Sequence, residues 1–215
     1  MGLIGTPVDG KNIGLAKVLY GLRQDSDVYC LISVNAASIK ERGGGVFFGH
    51  IQMRAIESIV LCICKIFEDE KQYELESIRG VIRYLMTQPA SCLDESKVKE
   101  FLLNYGCVSS ADSLAGKLQN TVEVFRTKYK DELERFKTFR DKKAAHSEYG
   151  VIIDSLPSYD VMEKLFLFGA DFYKLVSAAF VGVGPDNLET NRPVKVNLKN
   201  LLERLGLQSI QTDMK

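Results

Sequence analysis

Tryptophan is absent from the 215-residue chain, and proline (five) and histidine (two) are scarce. Few prolines and no long loop-rich stretch point away from a β-sandwich and toward helices. Two histidines exclude a histidine-rich metal centre, and no Cys-x-x-Cys pair supplies thiolate ligands, so neither metal nor cofactor is expected. No Gly-x-Ser-x-Gly elbow is present, and the triplet Gly43-Gly44-Gly45 lacks the lysine and hydroxyl of a phosphate-binding loop. There is no charge excess either: 28 basic residues match 28 acidic ones, which excludes a globally basic nucleic-acid coat. Any basic surface must be local.

The five cysteines (Cys30, Cys62, Cys64, Cys92, Cys107) are odd in number and show no paired spacing, which argues for a reducing, cytoplasmic setting. Cys62 and Cys64 point about 200° apart on a helix, so they cannot share a ligand and read as small buried hydrophobes. His50, alone in an apolar helix, reads as a core or edge histidine. The N-terminus lacks a basic region followed by an apolar core, so no signal peptide is read there. Met1 to Thr6 fits a short myristoylation pattern that six residues often meet by chance. The most apolar 20-residue window, 165–184, is interrupted by Asp171 and Lys174 and repeats at helical spacing. It reads as a buried core helix, and no membrane partner is expected.

What the sequence does contain is helical periodicity. Residues 12–41 predict one or two helices broken near Gln24-Asp25-Ser26, with Ser26 a candidate cap, and the glycine triplet ends that segment. Residues 46–67 predict a helix apolar enough to lie centrally, followed by the acidic loop Glu68-Asp69-Glu70. Residues 73–87 and 94–104 predict two more. Ser109 or Ser110 could cap a long helix to about residue 145. Its stripe is Leu114, Leu118, Val122, Phe125, Tyr129, Leu133 and Phe136, a sustained packing seam. Ser158 would cap a helix to about Phe180, residues 186–195 would be a loop, and Leu198 to Leu205 a short last helix. Short linkers suit antiparallel neighbours in one all-α bundle.

The end of the long helix departs from the balanced background. Between Arg126 and Lys143 eight basic residues face four acidic ones, a local footprint suited to a phosphate backbone. The competing reading is a solvated face with ordinary pairs such as Asp131–Arg135. Arg140 lies four residues beyond Phe136, which places it on the packing face. A buried guanidinium costs several kcal/mol unless paired, so it needs a carboxylate, a ligand or a wet cleft. His146 follows six residues later, about 120° around the helix. A second copy related by a two-fold axis could bring two arginines and two histidines into one cleft. Such groups suffice for RNA cleavage by 2′-hydroxyl attack, with histidine as acid or base and arginine stabilising the phosphorane-like charge. The competing reading is a histidine at a helix C-terminus beside an ion-paired arginine.

Arg140-Asp141-Lys142-Lys143-Ala144-Ala145-His146 resembles the R-x4-6-H motif of HEPN-superfamily domains, with a polar residue directly after the arginine. Residues 47–70 and 75–85 resemble the front half of the abortive-infection branch, type U, and 157–180 its closing helix. The resemblance implies an HEPN-like antiparallel bundle over 26–182, with a long motif-bearing helix. Residues 1–25 would be an N-terminal extension, and 183–215 a C-terminal loop and short helix. It implies a homodimer through the motif helix and metal-independent endoribonuclease activity, often in phage defence or toxin–antitoxin systems, where an antitoxin protein would be a partner. Arg140 would then stabilise the scissile phosphate, His146 would be the acid/base group and Asp141 would orient one of them, with Lys137, Lys142 and Lys143 binding RNA. Tyr149 lies three positions after His146, where some superfamily toxins carry a modified tyrosine after two. The alternatives are a catalytically silent RNA- or nucleotide-binding HEPN module, or a helical dimer scaffold.

Overall fold

The computed structural model describes residues 14–68, 75–88, 92–106, 111–146, 156–179 and 192–207, with only the backbone described for 143–146. Every regular element among them is helical: α1 Gly14–Val34, α2 Ala36–Glu41, α3 Gly45–Phe67, α4 Ile78–Met86, α5 Glu95–Asn104, α6 Leu114–Lys128, α7 Lys130–His146, α8 Tyr159–Val176 and α9 Pro193–Arg204. A 3-10 turn, Ser177–Ala179, extends α8. The all-α architecture expected from the sequence is therefore observed.

α1 is continuous where a break was expected. Ser26 does not cap a second helix; its hydroxyl donates to the Leu22 carbonyl one turn back, at 2.7 Å, which a helix interior tolerates. The break falls instead at Asn35, whose side-chain amide donates to the Leu31 carbonyl at 2.7 Å. Gly43, at φ +78°, then supplies the left-handed residue that turns the chain, and the Gly44 N–H closes α2 on the Ile39 carbonyl at 2.9 Å.

α3 returns antiparallel along α1. Gly21 faces Cys62, Ser58 donates to Asp25 at 2.5 Å, and Gln52 donates to the Ser33 hydroxyl at 2.6 Å, so positions rise on one helix as they fall on the other. α3 contains a window of mean hydropathy 1.4, enough by length and composition to cross a membrane. Here α1, α4, α7 and α8 pack against it, and Ile59, Ile63 and Ile66 are fully buried. That is the central position its composition predicted.

The core is strongly aromatic where α8 crosses α6. Phe125 and Phe168 stack with ring centroids 3.7 Å apart, and Phe67, Phe101 and Tyr105 surround them. The approach of α8 depends on Gly169, where a Cβ would stand 2.9 Å from a Leu19 methyl. A second, smaller cluster of Ile32, Ile39, Phe48, Leu202 and Leu207 seats α9. α9 begins at Pro193, five residues before the expected start, because proline at the first helical position needs no hydrogen-bond partner for its nitrogen.

The long helix is real but bent. Its cap is Ser113, which accepts from the Gly116 N–H at 3.0 Å; the expected caps Ser109 and Ser110 lie outside the described residues. At Tyr129 ψ reaches 25°, which divides α6 from α7, although the Leu133 N–H still reaches the Tyr129 carbonyl at 2.9 Å. α6 packs on α4 and α5, whereas α7 packs on α3. α4 starts at Ile78 rather than residue 73, capped by the Ser77 hydroxyl. Ser158 takes the capping position of α8, but its side chain makes no capping bond.

Candidate functional site

The basic run resolves into two opposite stripes. At 100° per residue, Arg126, Lys130, Lys137 and Arg140 fall within about 80° of one another, and Lys128, Arg135 and Lys142 fall on the far side. The contacts agree. Arg126, Lys130 and Lys137 line one groove of about 360 Å³ with Glu68, Thr127 and Leu133. On the far side Arg135 donates to the Leu156 carbonyl at 2.9 Å, and Lys142 is exposed.

Arg140 stands at the end of the first stripe with its side chain 21% exposed. The charge is answered from two directions. Glu68, which caps the C-terminus of α3, accepts from Nη1. Asp141 accepts from Nε at 2.9 Å and Nη2 at 2.8 Å. Burial acts against the charged form, but the bonds to Glu68 and Asp141 outweigh it and hold the guanidinium pKa above its ordinary value. The arrangement also repairs a local conflict. A carboxylate at a helix C-terminus meets the negative end of the dipole, and a guanidinium placed there offsets both.

Lys137 and Arg140 therefore share one side of α7, with Asp141 bonded to Arg140, whereas Lys142 lies about 160° away. His146 is the last residue of α7; the side chains of His146 and Lys143 lie outside the described residues, as does Tyr149. Glu68 was missed as a member of the site. Its signal was the acidic triplet closing an apolar helix, but nothing in the sequence joins positions 68 and 140. Arg126 and Lys130 were counted in the basic run but not assigned to the site; their spacing of 4, 7 and 3 with Lys137 and Arg140 was the missed signal.

Beside this groove lies a second, of about 260 Å³, lined by Arg79, Ile82, Arg83, Met86, Gln119 and Glu123. Glu123 belongs to both. Arg79 grips it through two bonds of 2.7 and 2.5 Å, and Arg126 adds a third at 3.3 Å. The two arginines hold the Glu123 carboxyl below its usual range, Arg79 first.

The other candidates are quiet. His50 is exposed on α3, so the edge reading rather than the core one applies. Cys30, Cys62, Cys64 and Cys92 are free thiols; Cys64 is buried as expected, Cys62 is half-buried rather than buried, and burial pushes the Cys62 thiol up to about 11. Cys107 and the Met1–Thr6 pattern lie outside the described residues. Among the described residues no group of histidine, cysteine and carboxylate side chains could hold a metal ion. No protein-family model, no curated protein and no solved structure matches this chain.

Proposed function

We propose that this protein is a homodimeric, metal-independent endoribonuclease of the HEPN type. The observation that carries the reading is Arg140: a half-buried guanidinium bonded to Glu68, a wall of the groove that Arg126, Lys130 and Lys137 also line, on the same helix as His146. In this reading the 2′-oxygen of the RNA bonds to the adjacent phosphorus as the bond to the 5′-oxygen breaks. His146 takes the 2′-hydroxyl proton or supplies one to the leaving oxygen. Arg140 stabilises the charge on the phosphorane-like transition state, and Asp141 positions it. The products are a cyclic phosphate and a 5′-hydroxyl. A two-fold pairing of α7 would bring the two motifs together. The biological setting would be phage defence or a toxin–antitoxin pair, with an antitoxin protein as partner.

A second reading is a silent RNA-binding HEPN module. The doubly occupied Arg140 favours it, because a substrate phosphate must displace a carboxylate before the guanidinium can act. Purified protein incubated with mixed RNA in EDTA, beside Arg140→Ala and His146→Ala, separates the two. Cleavage leaving cyclic phosphate ends, lost in both variants while they stay folded, supports the nuclease. Equal activity in either variant removes it. Salt-sensitive binding without product supports the module.

A further inference from the structure

Resting on that reading of the substrate as RNA, we infer that one single strand runs along a track of six cations, from Arg83 and Arg79 on α4, past Arg126, Lys130 and Lys137, to Arg140. Two carboxylates, Glu123 and Glu68, join the track. Arg79 and Arg126 hold the same carboxylate of Glu123. The two grooves share Glu123 as a common wall. At the far end Glu68 lines the larger groove and bonds Arg140. The α6–α7 portion alone spans fourteen residues, about 21 Å along the helix.

Four carboxylates lie among these cations, and their placement matters. Glu123, Glu68 and Asp141 are each bound to an arginine of the track, and the fourth, Glu134, is exposed on the wall of the larger groove. Lys130 and Lys137 are exposed, and no described carboxylate pairs with either. They are the positions where a phosphate adds an ion pair without breaking one. The cations follow one another along two adjoining grooves that share one wall, an order that suits one phosphate backbone. The groove's aromatic residues, Phe67 and Phe136, are 3% and 0% exposed, so no ring is offered for base stacking. The track therefore reads phosphates and is indifferent to base sequence.

The test is binding of labelled oligouridylates of two, four and twelve residues to the full-length protein in EDTA, with His146→Ala to prevent cutting, between 50 and 200 mM salt. Each phosphate contacted contributes about −0.7 to the slope of log affinity on log salt for a single strand. The track predicts tighter binding with length, and a slope shallower by about 1.4 when Arg83 and Lys130 are both replaced by alanine, with a loss of tens of fold at 50 mM salt. Lys99→Ala and Lys199→Ala, on α5 and α9, should leave the slope unchanged. RNA binding with an unaltered slope in the Arg83/Lys130 variant overturns the track and spares the nuclease. Absence of both binding and cleavage in the unmodified protein overturns both.

Discussion

A guanidinium near a packing face persists only when its charge is answered, and Arg140 is answered by Glu68, Asp141 and the carbonyl end of α3. Glu68 holds the arginine, and under the proposed function it would compete with a substrate phosphate for it. Replacing Glu68 by glutamine should cost roughly 1 kcal/mol of stability, read from urea unfolding, because the pair is part-exposed. The same variant should bind RNA several-fold more tightly at low salt. Unchanged or weaker binding would show that Glu68 only supports the arginine. Asp25 poses a simpler case. Burial raises its pKa, with Ser58 donating to it in partial compensation. Folding therefore favours the protonated form: the penalty is absent below the ordinary value of 3.8 and grows as pH rises through the raised folded value. Asp25→Asn should raise the melting temperature at pH 7, and the gain should vanish near pH 3.

Two glycines on neighbouring helices make opposite predictions at the scale of elements. Gly49 lies in α3 with nothing within 4 Å of the methyl that alanine would add, so Gly49→Ala should stabilise by about 0.5–1 kcal/mol through helix propensity alone. At Gly169 the methyl would stand 2.9 Å from Leu19, and the packing penalty of about 1–3 kcal/mol should equal or exceed that gain. Denaturant midpoints of the two variants distinguish the cases. The same contrast explains what the sequence could reveal. Apolar periodicity located the helices, since burial of Leu118, Val122, Phe125 and Phe136 follows the stripe directly. It led to Ser109 or Ser110 as the cap and passed over Ser113, because any of these hydroxyls can accept from a helix N-terminus and periodicity does not fix the first turn. The bend at Tyr129 involves neither proline nor glycine and left no local mark. Arg140 was legible as a charge on the wrong face, whereas Glu68 was not, because 72 residues separate the two.

Among the described residues a large core is accompanied by a smaller cluster that holds Ile39 of α2 and Leu202 of α9. α9 packs on α1 over its own small cluster, and Arg192, at its entrance, grips Asp27 through Nε at 2.8 Å and through Nη2. Asp27 is 4% exposed, so Arg192→Met strands a buried carboxylate and should cost about 3–5 kcal/mol. The double variant with Asp27→Leu should recover most of that loss in a denaturant titration. The chain order of this pair carries a consequence for synthesis. The acid is made early and its cation 165 residues later. At ordinary translation rates that interval is roughly ten to thirty seconds. Throughout it the nascent α1 carries a carboxylate that it cannot bury at low cost, which favours leaving that side of the hairpin open to solvent until Arg192 has been delivered by the ribosome.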